Sequence, residues 1–212
     1  MDSTLIADFL NTMPKEEILI QDFIRRVGVV RVDQLIAILG FSGKNKDKAI
    51  YYLNDLLRRG DRVILTDNNC VVDLGRTAPN YNVFHCLWDV VYNLNNCEVV
   101  TVENGEEPTN LIYLTTDGHL RIVTYIAKTD IAKVLYLQER YGARHIAKQK
   151  TDDSLGDAAE DYPETNVFVV DSETTAARIK SAPGLTIPYE ICICKYPKNA
   201  ANPFAKPSLE YV

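Results

Sequence analysis

Gly28, Gly40 and Gly60 cut the first third of the chain into short apolar-periodic segments, and that punctuation constrains the fold more than any other feature. Pro14-Lys15-Glu16-Glu17 opens a helix, because proline suits a first turn and carboxylates suit the positive end of the helix dipole. Ile18, Ile20, Phe23, Ile24 and Val27 give that helix a buried stripe, and Gly28 ends it. Val30-Arg31-Val32 reads as a short extended entry. Asp33 starts a second helix through Leu39, stopped by Gly40. Phe41-Ser42-Gly43 is a brief turn, and a third helix runs from about Asn45 to Arg59. Arg62–Leu65, the turn Thr66-Asp67-Asn68-Asn69 and Cys70–Leu74 then read as a β-hairpin, since Asx-rich tetrads favour tight turns.

Helix, helix, short turn, helix and hairpin within about sixty residues is the winged helix-turn-helix order, expected over residues 1–77. The second helix packs across the third and props it for insertion into a groove. At 100° per residue, Lys46, Ala49, Ile50, Leu53, Leu56 and Leu57 fall on the inner side of the third helix. Lys44, Lys48, Tyr51, Tyr52, Asp55, Arg58 and Arg59 fall on the outer side. Lys and Arg pair with phosphates or guanine edges, and Tyr donates to phosphate or packs on sugar. The expected contacts with double-stranded DNA are therefore Lys44, Lys48, Tyr51, Tyr52, Arg58 and Arg59, with Arg62 at the base of the wing. The acidic Asp67 at the wing tip argues against minor-groove insertion there. A solvated helix face with intrahelical ion pairs, or a protein-contact surface, explains the same pattern.

Charge permits this reading without demanding it. The chain carries a net −6, but residues 1–77 balance eleven Lys/Arg against eleven Asp/Glu, and residues 78–212 hold the whole deficit. With 46% hydrophobic and 25% charged residues, 212 residues suffice for two small domains with real cores. No run approaches the ~20 apolar residues that span a bilayer, and the start of the chain is acidic, so a soluble, cytoplasmic protein is expected. The cysteines at 70, 86, 97, 192 and 194 form no Cys-x-x-Cys pair and are expected to be buried thiols.

Ala78-Pro79-Asn80 begins a second unit, residues 78–198, expected to be a mixed α/β domain. A helix from Asn80 or Tyr81 to Leu94 is followed by strands at Cys97–Glu103, Asn110–Thr116 and His119–Lys128. Asp117-Gly118 joins the last two as a two-residue hairpin turn. A helix from Ile131 closes at Gly142, and residues 149–165 read as an acidic loop. Asn166–Val170, Ser172–Ser181 and Tyr189–Tyr196 give strand, helix and strand, with an irregular tail over residues 199–212.

Helix, three strands, helix and strand is the core order of restriction-endonuclease-like folds. Such enzymes hold Mg²⁺ with an acid at the second strand and Glu-x-Lys on the third. Acids stand near the second strand, at Glu106-Glu107. The third strand, His119-Leu120-Arg121-Ile122-Val123-Thr124-Tyr125-Ile126-Ala127-Lys128, contains none. An inactive version of the fold is expected, with no catalytic residues, metal or cofactor. An enzyme would need a hidden carboxylate cluster, for instance Glu98, Glu103 and Asp117. His85, His119 and His145 lie at no familiar spacing from a nucleophile.

Three segments together carry a family resemblance: Lys44-Asn45-Lys46-Asp47-Lys48 leading into Ala49–Leu56, the strand pair around Asp117-Gly118, and the strand Tyr189–Tyr196. The layout resembles the replication-relaxation family of accessory proteins of plasmids and conjugative elements. That resemblance implies a non-enzymatic DNA-binding accessory or regulatory protein whose partners are DNA and replication or transfer proteins. A homodimer through the second unit would set two third helices one turn apart. The alternative is a protein-interaction module of a mobile-element complex, with the winged helix as scaffold.

Overall fold

The computed structural model describes residues 15–40, 43–60, 63–66, 69–75, 80–94, 99–152, 163–197 and 206–212, with the side chains of 143–152 left out. The chain divides into two compact units, Met1–Phe84 and His85–Val212, so the division falls inside the helix Tyr81–Asn93 rather than at residue 78.

In the first unit, α1 (Lys15–Val27), β1 (Val29–Arg31), α2 (Val32–Ile38), α3 (Lys44–Arg59), β2 (Val63–Leu65) and β3 (Cys70–Asp73) follow in order. Gly28 ends α1 at φ 79°, a left-handed conformation open to glycine, and its N–H caps the Ile24 carbonyl at 2.8 Å. The buried stripe of α1 is Glu17, Ile20, Phe23, Ile24 and Val27. Ile18, expected in that stripe, is only half-buried. Three residues back from Ile20 is Glu17, and helical geometry puts that carboxylate inside whatever its polarity. Helix α2 starts one residue before Asp33. The Arg31 N–H donates to Gln34 Oε1 at 3.0 Å, and the Arg31 guanidinium binds Asp33 at 2.9 Å. Strands β1, β3 and β2 form an antiparallel sheet in that spatial order. The β2–β3 hairpin closes through the Asn69 N–H on the Thr66 carbonyl (3.0 Å), with Asn69 left-handed at φ 59°.

The second unit takes in α4 (Tyr81–Asn93) from His85 onward, then β4 (Val99–Asn104), β5 (Leu111–Thr115), β6 (Leu120–Tyr125), α5 (Ile131–Asp152), β7 (Glu164–Val170), α6 (Glu173–Lys180), β8 (Tyr189–Lys195) and β9 (Ser208–Tyr211). Its six strands lie in sequence order; β6, β7 and β8 are parallel, and β4–β5, β5–β6 and β8–β9 are antiparallel. Side chains alternate across the sheet. One face, with Phe168, Val170, Ile191 and Ile193, packs on Val134 and Leu137 of α5 and Ala176 and Ile179 of α6. Each fully buried aliphatic or aromatic side chain there contributes about 1.5–3 kcal/mol. The opposite face carries Tyr113, Arg121 and Tyr211, which reach Asp89 of α4. The second unit is thus a sheet with helices on both faces.

Several expectations need correction. The tail is not irregular throughout, because Ser208–Tyr211 pairs with β8 (Cys192 opposite Tyr211), and a strand needs a partner more than a strong local pattern. Gly142 does not close α5, which continues to Asp152; an interior glycine costs a helix only about 1 kcal/mol. The acidic loop is therefore shorter at both ends, and its remainder, 153–162, lies outside the described residues. The Asp117-Gly118 turn is a three-residue loop. Gly118 N–H binds the Thr115 carbonyl (3.0 Å), Thr115 N–H binds the His119 carbonyl (3.0 Å), and only Gly118 has positive φ, 81°. That is a type I turn with a left-handed glycine closing a bulge. No described helix is long and apolar enough to cross a membrane.

Candidate nucleic-acid interface

Helix α3 is sixteen residues long and ends where Gly60 turns left-handed, at φ 68°. Ala49, Leu53 and Leu56 are its buried residues and α1 is its main neighbour. Lys46 and Ile50, expected on the inner side, are exposed instead. They lie in the first two turns, where the pattern marks a face but does not supply anything to cover it.

The outer side is where the sequence places it. Lys44, Lys48, Tyr51 and Arg58 are exposed, Tyr51 to 65%. At 100° per residue they fall within a strip about 80° wide, so the three cations can meet one run of phosphates. The side chains of Lys44, Lys48 and Arg58 form no ion pair among the described residues. Tyr52 is half-buried and meets Tyr51 edge to face, ring centroids 5.6 Å apart. Arg62 and Asp67 lie outside the described residues.

Arg59 is placed differently from the other five. Its guanidinium binds Asp55 one turn back and reaches Glu17 of α1 at 2.6 Å. The Asp55 hydrogen bond is the main reason its pKa is raised, with burial opposing. Glu17 is only 3% exposed, so Arg59 compensates a carboxylate that α1 buries. It buckles α3 to α1. Arg59→Gln is expected to cost about 1–2 kcal/mol in urea unfolding, whereas Lys48→Gln should change stability by less than about 0.5 kcal/mol. Equal midpoints for the two variants would show that the buckle carries no load.

The second unit holds a polar centre that sequence reasoning missed. Asp89, fully buried in α4, accepts from Tyr113 Oη at 2.7 Å and from Tyr211 Oη, and lies 3.6 Å from the Arg121 guanidinium. Glu190 pairs with Arg121 at 2.6 Å. Burial raises the Asp89 pKa, while Arg121 and the two phenols pull it back. A signal existed: Asp89 is the one carboxylate in a helix without Lys or Arg, set directly between Trp88 and Val90. One turn earlier in α4, His85 stacks on Tyr125 (centroids 4.7 Å apart) and bonds Tyr196 Oη through Nδ1. Burial lowers its pKa to about 4, against the opposing pull of Asp171.

No group of three His, Cys, Asp or Glu side chains suited to a metal occurs among the described residues. Glu98 is outside them. Glu103 sits opposite Ile112, whereas Asp117 lies beyond the Val99–Thr115 pair, four residues along the ladder and so roughly 13 Å away. Glu106, before the second strand, pairs with Arg140 at 2.9 Å. Cys70, Cys86, Cys192 and Cys194 are buried free thiols, and burial pushes Cys70 up to about 11.

No protein-family model, curated protein or solved structure matches this chain.

Proposed function

We propose that the first unit is a winged helix-turn-helix that binds double-stranded DNA through α3, in a protein that acts by binding rather than catalysis. The observation that carries this reading is the outer strip of α3, where Lys44, Lys48 and Arg58 are exposed and form no ion pair among the described residues. The acid between them, Asp55, is neutralised by Arg59. Two features of the fold support it. The strand after α1 joins the hairpin as a third strand, and α3 rests on an apolar underside that holds its other face outward. In the second unit, the element order and the sequential mixed sheet suit a nuclease-like scaffold, and β6 offers no carboxylate for a metal. This reading agrees with an accessory protein of the replication-relaxation type.

Fluorescence anisotropy on a labelled duplex of about three helical turns, titrated at several salt concentrations, tests it. Wild type should bind with an affinity that falls steeply with salt. Lys48→Glu with Arg58→Glu should weaken binding by roughly 30-fold or more and flatten the salt slope by about 2, the contribution of two phosphate contacts. Arg59→Gln, which removes no phosphate contact but leaves Asp55 uncompensated within the strip, should weaken binding less than the double variant does. Salt-independent binding, or full affinity in the double variant, would refute the assignment.

A protein-docking role for the same unit has one observation in its favour. The edge strand β2 leaves Ile64 43% and Leu65 48% exposed, an arrangement that invites a partner. Failure of the DNA titration would leave that reading standing.

A further inference from the structure

A cavity of about 300 Å³ opens on the α5 side of the second unit's sheet. Its apolar wall is Ile112 of β5, Ile122 of β6 and Leu137 of α5. Neighbouring register explains the first two, since Ile112 pairs with Ile122 and Ile122 with Asn166. At the cavity also stand Arg140 and Glu106, 2.9 Å apart.

Two largely buried residues of the lining, Asn166 and Thr109, keep hydrogen-bonding capacity open toward the cavity. Asn166 is 3% exposed and spends its amide N–H on the Pro188 carbonyl at 3.2 Å, leaving its side-chain oxygen without a donor among the described residues. The hydroxyl of Thr109, 6% exposed, likewise has no partner among them. Open hydrogen-bonding groups beside an apolar wall are what the polar end of a small ligand can use in place of water. Arg140 adds to this: its guanidinium has five N–H donors, and Glu106 is its one ion-pair partner among the described residues.

The loop that carries Glu106 and Thr109 is held in shape. Thr109 N–H binds the Glu106 carbonyl at 2.8 Å, and Gly105 N–H binds the Asn110 carbonyl at 3.0 Å. A side chain at Gly105 would collide with Thr109, its Cβ lying 2.4 Å from Thr109 Cγ2. A preformed polar loop over an apolar floor is how small-molecule sites are built.

Charge narrows the ligand. One guanidinium and one carboxylate, already adjacent, leave the cavity electrically balanced, so an anion alone would draw Arg140 from Glu106 and a cation alone would draw Glu106 from Arg140, whereas a ligand with both charges offers each a partner. We propose that this cavity binds a small zwitterion, a free α-amino acid. Its carboxylate meets Arg140, its ammonium meets Glu106, and its side chain lies on the Ile112–Ile122–Leu137 wall with a polar end at Asn166 and Thr109. The Glu106 side chain is 86% exposed and can swing to admit the head group. The cavity's volume lies at the small end of ligand pockets, which suits a molecule of this size.

Saturation-transfer NMR on the full chain tests this directly, with each of the twenty common L-amino acids as probe and calorimetry on the strongest. L-Glutamine, which combines methylenes with a hydrogen-bonding end, is expected among the binders, with a Kd between about 10 µM and 1 mM. N-acetyl-L-glutamine and L-glutamine amide each lack one head-group charge and should bind at least 10-fold more weakly. Arg140→Gln and Glu106→Gln should each reduce affinity by a similar factor while leaving the circular dichroism unchanged. No saturation transfer from any of the twenty at about 1 mM would overturn the proposal. So would equal binding of the charge-deleted analogues, or unchanged affinity in both variants. None of these outcomes depends on the DNA titration.

Discussion

Replacing Asp89 with alanine is expected to lower the unfolding free energy by about 3–5 kcal/mol, the cost typical of removing one partner from a buried ion pair. The loss has two sources. Tyr113, fully buried, would have its phenol left without the carboxylate it donates to at 2.7 Å. Arg121, whose side chain is 11% exposed, would keep Glu190 as its one counter-charge among the described residues. Asp89→Asn keeps the acceptor oxygen and removes only the charge, so it should cost roughly half as much. Urea unfolding of the three proteins gives the series. Because Tyr211 of β9 also donates to Asp89, the alanine variant should lose amide-exchange protection in residues 208–211 before the rest of the sheet. A loss below about 1 kcal/mol, with β9 still protected, would mean that the centre does not staple α4 to the sheet.

The second large effect is on pH. His85 has its pKa lowered from 6.5 to about 4, chiefly because burial disfavours the imidazolium. The unfolded chain therefore binds a proton that the folded protein refuses throughout the window between those values. Stability rises with pH wherever the unfolded state holds more protons, so this contribution is complete above about 6.5 and is lost as pH falls toward 4. Between pH 7 and pH 4.5 the loss amounts to about 2 kcal/mol. His85→Phe keeps an aromatic ring stacked on Tyr125 and cannot titrate. Its unfolding free energy should thus fall by about 2 kcal/mol less than that of wild type over the same interval. Parallel pH profiles for the two proteins would place the proton elsewhere.

Local rules made most of the element boundaries legible. Gly28 and Gly60 mark the ends of α1 and α3, and Ser172 caps α6 through its hydroxyl on the Thr175 N–H at 3.3 Å. These are short-range effects of backbone conformation and capping, fixed within a few residues. The same local reading erred where another segment decides. Glycine at 142 looked like a stop, yet α5 continues through it. Residues 208–211 show little strand pattern, and become one only because β8 offers its free edge.

By itself the sequence determined where most helices and strands lie, which face of α3 carries Lys44, Lys48, Tyr51 and Arg58, and that β6 lacks a carboxylate. Each of these follows from residue identity and the fixed periods of helix and strand. Tertiary structure alone decided that Arg59 serves Glu17, that Asp89 gathers Tyr113, Arg121 and Tyr211 from three strands, and that Arg140 and Asn166 face one cavity. Those partners stand between about 25 and 120 positions apart in the chain. No local period relates them; apolar burial and strand pairing bring their elements together, and the cost of leaving a buried polar group unsatisfied selects which side chains meet there.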